Sequence, residues 1–293
     1  MRIVQILIDA LALGVLFAMV AMGISLLFGV MRMVNFAYGE LITAGAYALL
    51  LTKGMAVPVR VAVALIAALA LASAMDLVLR PFRSASPTTT LIATFALSFL
   101  LQNVAVLSFG TQGTAMDFLP TLNQAFAIGD LRIRWITIVS LLVGGVILAS
   151  VALFLQRTDI GLQMRAAAAD FTTARVLGVR ANRVITIAFL ITGFLAGAVA
   201  LALGVQRPLV TPSFGFNVLV PALVGVVVGG LDRLVAGTTG GFFVGFATVV
   251  LGQILPSGTR VFLNSALFAL VIVVLLAKPN GLFVRDQRGY ERV

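Results

Sequence analysis

Nine apolar stretches, separated by short gaps with glycine, proline or charged residues, dominate this sequence. They fall at about 10–30, 36–52, 58–79, 88–109, 135–156, 184–206, 216–231, 237–255 and 261–277. A membrane-spanning helix needs about 20 mostly apolar residues. Most of the stretches have about that length, whereas the second and the seventh are short. The pattern predicts an all-α polytopic membrane protein with about 8–9 transmembrane segments, some of them broken or re-entrant.

The composition agrees with a membrane-embedded chain. Of the 293 residues, 61% are hydrophobic and 10% are charged, whereas soluble domains carry about 25% charged residues. No polar linker is long enough to separate two domains, so residues 1–293 are expected to form a single transmembrane domain. The apolar run that follows Arg2 has no clear small-residue cleavage site, and we predict that it is retained as the first span.

The residue types that are missing exclude several chemistries. The chain has no Cys and no His, which excludes disulfides, thiolate metal sites and Ser-His catalysis. It has no G-x-x-x-x-G-K-[ST] loop for cradling ATP. We therefore expect a protein that is not an enzyme and binds no cofactor or metal, and whose energy comes from an ion gradient or from another subunit.

The largest polar interruption lies at 157–183 and holds five Arg and two Asp. At about 2.5–3.5 kcal/mol per central Arg, five would cost roughly 12–17 kcal/mol inside the bilayer, so the segment is expected to lie outside it. Thr158 or Asp159 can cap a first helix, and Asp170 can cap a second one that ends at Gly178.

The second of these helices is expected to have an apolar side, formed by Phe171, Ala174, Leu177 and Gly178. Two interpretations are open. The helix pair docks into the groove of a partner, or it packs against the membrane bundle of its own chain, because both arrangements need the same pattern.

The distribution of Lys and Arg predicts the orientation. If 157–183 is cytoplasmic, 13 Lys and Arg lie on its side of the membrane and 7 on the other. Because cytoplasmic loops carry an excess of positive charge, the N-terminus is expected outside and the C-terminal tail, 279–293, inside.

Polar residues inside the apolar stretches are the candidate site residues. Thr94, Ser98 and Gln102 recur every four residues and share one helical face, with Asn103 beside them. Such a face either lines a pathway for a zwitterionic substrate or makes hydrogen bonds between helices.

Asn35 and Glu40 stand at the start of the second stretch. A carboxylate near the hydrocarbon indicates a functional site by default. The alternative is that Glu40 lies at the inner membrane interface and pairs with Arg32 or with a helix N-terminus.

Two further patterns concern packing and chain breaks. Gly237, Gly241 and Gly245 repeat every four residues and are expected to let two helices approach closely, more readily within one subunit than between two subunits. The segment Gln206–Asn217 holds two Pro and a Gly. It is either an ordinary outer loop, the interpretation we favour slightly, or a break in a helix near the substrate.

Four segments in chain order carry a family resemblance. The stretch Gly161–Val184 resembles the ATPase-coupling loop of LIV-type permeases, the membrane subunits of branched-chain amino-acid ABC importers. Gly23–Tyr47 and Leu91–Asn103 are similar to two helix signatures of that family, and Lys278–Phe283 resembles the close of its last helix. The chain looks most like the shorter, LivH-like permeases. Tyr38 departs from the family, which usually has His there.

The resemblance implies an importer in the bacterial inner membrane, built from two permeases, two ATP-binding ATPase subunits and an external solute-binding protein. The cargo is expected to be a small amino acid, most simply a branched-chain one. The residues that the resemblance assigns to ATPase coupling are Arg165, Ala169, Asp170, Ala174, Leu177 and Gly178. The alternative function is an ion-coupled secondary transporter or channel for a small polar solute, which needs ionisable groups near mid-membrane.

Overall fold

The computed structural model describes residues 2–128, 131–231 and 233–278. Its helices are α1 (Arg2–Met31), α2 (Tyr38–Leu51), α3 (Val57–Leu79), α4 (Pro87–Phe109), α5 (Trp135–Arg157), α6 (Asp159–Ala169), α7 (Phe171–Val176), α8 (Ala181–Gln206), α9 (Phe216–Gly229), α10 (Leu234–Ile254) and α11 (Leu263–Ala277). Its strands are β1 (Thr114–Ala115), β2 (Ala125–Ile128), β3 (Leu131–Arg134) and β4 (Leu209–Val210). Helices therefore form the bundle, which confirms the predicted all-α fold class.

Nine helices of the described residues coincide with the nine predicted apolar stretches. Six are long and apolar enough to cross a bilayer, namely α1, α3, α4, α5, α8 and α10. The other three, α2, α9 and α11, are apolar but shorter. The chain is a multi-pass membrane protein.

The second and seventh apolar segments are half-length helices that begin at one point. Both α2 and α9 have 14 residues, about 21 Å at 1.5 Å per residue, which is less than the roughly 30 Å hydrocarbon core. A Cβ atom placed on Gly39 would lie 3.0 Å from the backbone of Gly215, and a Cβ on Gly215 would overlap the carbonyl oxygen of Gly39. We call this contact of Gly39 with Gly215 the half-helix junction.

The two half-helices leave the junction in opposite directions. The end of α2 lies beside the end of α8, where Leu49 is next to Gly204. The end of α9 lies beside the start of α10, where Gly229 contacts the carbonyl of Ala236. That second end of the bundle also holds α6, since Gly29 of α1 faces Ala168. We call it the α6–α7 face.

The helix order repeats with inverted orientation. The series α1, α2, α3, a 3₁₀ turn at Arg80–Ser84 and α4 is matched by α8, α9, α10, a 3₁₀ turn at Ser257–Phe262 and α11. The packing repeats as well, because α1 packs on α10 as α8 packs on α3, and α2 packs on α8 as α9 packs on α1. Since α1 and α8 start at opposite ends of the bundle, this is the inverted-repeat arrangement found in many transporters.

Glycine stripes allow the closest of these contacts. Cβ atoms added at Gly237, Gly241 and Gly245 would meet α1 at Ser25, at Ala21 and at the Leu13 carbonyl, respectively. The contacts move back along α1 as they move forward along α10, so the two helices run antiparallel with their small faces against each other. In this structure the stripe packs within one subunit.

Two small antiparallel sheets lie in the connections on the side opposite the α6–α7 face. Thr114 pairs with Val210 across β1 and β4, and β2 forms a hairpin with β3. Strands of two to four residues are too short to show an alternating pattern, so the sequence predicts none of these strands. The β1–β4 pair fixes the chain just before it enters the bundle towards Gly215.

Candidate functional site

The polar face of α4 points into the bundle. Thr90, Thr94 and Ser98 are its buried residues, whereas most of the rest of this helix is exposed. Ser98 is the twelfth of the 23 residues of α4, so it lies halfway along the helix. Any group that Ser98 binds is therefore near mid-depth in the membrane.

Glu40 is the group that Ser98 binds. The Ser98 hydroxyl and the Gln102 amide each donate a hydrogen bond of 2.9 Å to Glu40 Oε1. Glu40 is 3% exposed, and it is the third residue of α2, so its carboxylate also lies at the partially positive N-terminus of that helix. Both donors are neutral, so this carboxyl group is surrounded by hydrogen-bond donors and a helix N-terminus.

This placement corrects the expectation that Glu40 lies at the inner membrane interface, and it bears on the expected pairing of Glu40 with Arg32 or with a helix N-terminus. Glu40 does not lie at the membrane edge, since the chain re-enters the bundle after α1 and starts α2 at mid-depth. Arg32 reaches α6, where its guanidinium donates to the carbonyl of Ala168 at 2.8 Å. The helix N-terminus that was expected near Glu40 is present.

Thr94 fixes the re-entering segment. Its hydroxyl lies 3.3 Å from the carbonyl of Val34 and accepts a hydrogen bond of 3.4 Å from the amide of Phe36. Asn35, in the same segment, accepts a hydrogen bond from the amide of Ala37 at 3.0 Å. Among the described residues, its buried side-chain nitrogen has no hydrogen-bond partner, and neither has the buried hydroxyl of Tyr38, which lies against Gly23.

Asn103 is not part of this cluster. It is exposed, and its amide donates to the carbonyl of Phe99 in its own helix at 2.7 Å. The four-residue period brings Thr94, Ser98 and Gln102 onto one face, and Asn103 follows one residue later on the next face.

Thr43 and Gly215 also belong to the site and were not among the residues predicted from the sequence. The backbone amide of Gly215 donates a hydrogen bond of 3.0 Å to the Thr43 hydroxyl, one turn after Glu40 on α2. The segment between α8 and α9 thus descends to mid-depth, and the favoured ordinary-loop interpretation of Gln206–Asn217 is wrong. The signal in the sequence was the short seventh apolar stretch together with the Pro and Gly residues that precede it. The second apolar stretch is short in the same way.

The segment 157–183 forms two capped helices on the α6–α7 face. The Thr158 hydroxyl accepts from the amide of Gly161 at 3.0 Å and caps α6. Asp170 caps α7 by accepting from the amides of Thr172 and Thr173 at 3.0 and 3.2 Å, and from the Thr173 hydroxyl. The Thr173 hydroxyl is the main cause that lowers the pKa of Asp170, followed by the backbone amide of the same residue.

The apolar side of α7 differs from the expected one. Ala174 is buried at 4% exposure, and Phe171 is half-buried beneath the helix. Leu177 is 80% exposed and Val176 is 83% exposed, because α7 ends at Val176 and the chain turns at Gly178, whose φ of +93° suits glycine. Leu177 therefore does not share the buried side of Ala174.

Arg165 and Ala169 belong to the anchored part of this segment. The Arg165 guanidinium donates to the carbonyl of Gln156 at 3.3 Å, and the carbonyls of Ala168 and Ala169 receive Arg32 from the end of α1. The C-terminus of α6 is thus tied to a membrane helix. Asp232 and the tail 279–293, including most of the segment Lys278–Phe283, lie outside the described residues.

The inverted repeat, the broken helix pair and a buried carboxylate at mid-depth define a membrane transport protein. Residues 6–276 match the family described as "Branched-chain amino acid transport system / permease component". The chain belongs to this family. It is a transport subunit and not an enzyme.

Curated relatives match the chain over nearly its whole length. The high-affinity branched-chain amino acid transport system permease protein BraD of Pseudomonas aeruginosa is 28% identical over 298 residues, covering 97% of this chain and 96% of the relative. The permease protein LivH of Escherichia coli K12 is 28% identical with the same coverage. A probable LivH of Methanocaldococcus jannaschii is 26% identical over 99% of this chain and 95% of the relative.

Proposed function

We propose that this chain passes a small amino acid, a branched-chain one, across the bacterial inner membrane as the permease of an ABC importer. An external solute-binding protein delivers the amino acid, and ATP hydrolysis on separate subunits drives its passage. The names of the relatives support the substrate class, because both BraD and LivH are described as branched-chain amino acid permeases. We expect this chain itself to bind no cofactor.

The proposed assembly contains two ATPase subunits and a second permease, identical or homologous to this one. The α6–α7 face is cytoplasmic in this proposal, with the N-terminus outside and the C-terminus inside. The charge count supports this orientation, since 13 of the 20 Lys and Arg fall on the side of segment 157–183.

One observation supports the coupling role, namely the exposed apolar side chains on the α6–α7 face. Leu162 of α6 is 59% exposed, and Val176 and Leu177 at the end of α7 are 83% and 80% exposed. Apolar groups that project from short, anchored helices fit the groove of a partner protein. Because Arg32 ties α6 to α1, a movement of the docked partner is transmitted to the membrane helices.

The proposed translocation pathway passes the half-helix junction. Glu40 supplies a negative charge at mid-depth, and Ser98, Gln102, Thr94 and Asn35 supply hydrogen-bonding groups around it. An amino acid carries an ammonium group that such a carboxylate attracts, and half-helices that start at mid-membrane are typical of substrate sites in transporters.

Affinity purification from the native membrane tests the proposal. The normal chain is expected to bring an ATPase and a second permease, and Leu177→Glu is expected to lose the ATPase. The change places a charge at the proposed contact without the backbone strain that a side chain would cause at Gly178. Val261→Glu is the matched control, since Val261 is 88% exposed at the opposite end of the bundle.

Two outcomes contradict the proposal. A chain that is purified alone, and that moves amino acids in vesicles without ATP, is an ion-coupled carrier. If the Leu177→Glu chain retains the ATPase as the normal chain does, the end of α7 is not the docking site.

A further inference from the structure

A basic cavity of about 700 Å³ opens on the α6–α7 face, beside the proposed docking helices. It lies between the end of α1, the 3₁₀ turn that follows α3, helix α7 and the start of α8. Four arginines line it, namely Arg32, Arg80, Arg83 and Arg175. We call it the arginine cavity.

Arg80, Arg83 and Arg175 together carry more positive charge than the described carboxylates beside them offset. The carboxylate of Asp76 forms ion pairs with Arg83 and, at 3.5 Å, with Arg80. The same carboxylate accepts a hydrogen bond of 2.7 Å from Thr186. Among the described residues, one carboxylate is thus shared between two of these three guanidinium groups.

Part of the cavity is rigid and part is adjustable. Arg83 is held between Asp76 and the side chain of Asn182, to which it donates at 2.8 Å, and its buried Nε has no hydrogen-bond partner in the part of the chain that the structure describes. Arg80 has a side chain that is 51% exposed, and Arg175 is exposed on α7. The latter two can therefore turn towards a ligand in the cavity.

The guanidinium group suits one class of ligand above others. Its planar fork donates two parallel hydrogen bonds to phosphate or carboxylate oxygens. A phosphate group in the cavity would be met from the 3₁₀ turn by Arg80 and from α7 by Arg175, so that it links the membrane helices to the proposed docking helix.

The position of the cavity indicates where the phosphate comes from. Arg80 directly follows the last turn of α3, in which Leu77 and Val78 are 57% and 51% exposed. An apolar surface that ends in arginines is complementary to a lipid, with acyl chains on the apolar part and the headgroup on the basic part. Basic pockets between helices on the cytoplasmic side bind anionic headgroups.

We propose that the arginine cavity binds the phosphate of an anionic phospholipid of the cytoplasmic leaflet, and that this lipid braces α7 against the 3₁₀ turn after α3. The assignment to the cytoplasmic leaflet rests on the proposed orientation, whereas binding of the lipid itself does not.

Lipid retention measured by native mass spectrometry tests the proposal. The chain, with the subunits that accompany it, is placed in nanodiscs of phosphatidylcholine with or without phosphatidylglycerol and then released. We expect phosphatidylglycerol to be retained in preference to phosphatidylcholine. The double variant Arg80→Gln/Arg175→Gln is expected to lower this preference at least about tenfold, since each arginine near a membrane surface contributes roughly a fivefold factor.

Arg157→Gln is the matched control, because Arg157 is exposed on the same face, at the end of α5, and does not line the cavity. It is expected to retain phosphatidylglycerol as the unchanged chain does. Equal retention of the two lipids overturns the proposal, and so does an equal loss in the control. Displacement of the lipid by millimolar inorganic phosphate would show that free phosphate is the ligand and would overturn the lipid assignment.

This experiment is independent of transport. If lipid selectivity is present while the vesicle and purification tests fail, the proposed function is wrong and the lipid site stands. If transport and ATPase recovery are normal while the lipids are retained equally, only the lipid site is wrong.

Discussion

The backbone amide of Gly215 donates a hydrogen bond of 3.0 Å to the Thr43 hydroxyl, across 172 residues of sequence. This bond joins the two inverted repeats where both of their half-helices begin. Glu40 lies one turn before Thr43 on α2 and is held from α4 by Ser98 and Gln102. The half-helix junction and the buried carboxyl group therefore occupy the same depth of the membrane.

Gly215→Ala is expected to separate the two half-helices. Gly215 has an ordinary helical φ of −75°, so alanine causes no backbone strain, but its Cβ overlaps the carbonyl oxygen of Gly39. Overpacking of this kind costs about 1–3 kcal/mol. We expect a lower thermal unfolding temperature in detergent and a loss of amino acid uptake in vesicles.

Gly145→Ala is the control for the glycine variant. Gly145 lies in α5, and a Cβ added there meets nothing within 4 Å. Because alanine favours a helix by up to about 1 kcal/mol over glycine, this chain should be as stable as the original or more so. If both alanine variants behave alike, the contact at Gly39 has no special importance.

Glu40→Gln is expected to preserve the fold and impair transport. Glutamine has the same shape and can still hydrogen-bond Ser98 and Gln102, so the unfolding temperature should change little. Removal of a charge that attracts an ammonium group in a medium of low dielectric should lower the uptake rate at least about tenfold. Asn103→Ala, on the exposed side of the same α4, should leave uptake unchanged. Normal uptake by Glu40→Gln would remove Glu40 from the pathway.

Local chemistry explains why part of the site was predictable from the sequence. The α4 stripe follows from the helical period, and the capping residues Thr158 and Asp170 follow from the preference of a helix N-terminus for short polar side chains. Each of these features depends on residues within a few positions of one another. These features were therefore predictable without knowledge of the tertiary structure.

The depth of Glu40 depends on contacts between distant segments and was not predictable in this way. Its mid-membrane position follows from the re-entry of 32–37, which Thr94 of α4 fixes, and from the contact of Gly39 with Gly215. No periodicity within α2 predicts either the re-entry or the contact. The related pattern of a long helix, a break and a short helix in both halves of the chain is the signal that predicts such a junction.

Asp170 should make the order of α7 dependent on pH. The Thr173 hydroxyl and the backbone amides lower the pKa of Asp170 in the folded chain. A carboxyl with a lowered folded-state pKa contributes stability above its unfolded value of about 3.9, and this stability is lost as the pH falls through the folded value. Hydrogen exchange of residues 171–176 should therefore be slow near neutral pH and accelerate below about pH 4, after correction for intrinsic rates.

Asp170→Asn separates the charge from the cap. Asparagine still caps a helix but does not titrate, so corrected exchange in α7 should no longer depend on pH in this acidic range. Asp170→Ala should exchange rapidly at every pH. A pH profile of Asp170→Asn that matches that of the original chain would assign the dependence to another group.

Asp76 joins α3 to the 3₁₀ turn that follows it through a buried ion pair, and to α8 through a hydrogen bond. Asp76 is 1% exposed, and its carboxylate binds Arg83 and Thr186. Asp76→Ala leaves the Arg83 guanidinium largely buried without its partner, which costs about 3–5 kcal/mol. Arg80→Ala, in contrast, removes an ion pair in which a guanidinium nitrogen lies 3.5 Å from the Asp76 carboxylate and the arginine is half-exposed. This change should cost under about 1 kcal/mol.

A double variant isolates the charge from the packing. In Asp76→Ala/Arg83→Met the buried guanidinium is absent, and methionine fills part of its volume, so the chain should regain at least about half of the stability that Asp76→Ala loses. Thermal unfolding of the original chain, Asp76→Ala, Arg83→Met and the double variant in the same detergent measures the coupling between the two residues. Additive losses in the double variant would mean that Asp76 and Arg83 contribute independently, and the stabilisation of α3 against α8 would then have to be sought in the glycine contacts of Gly193 with Ala72.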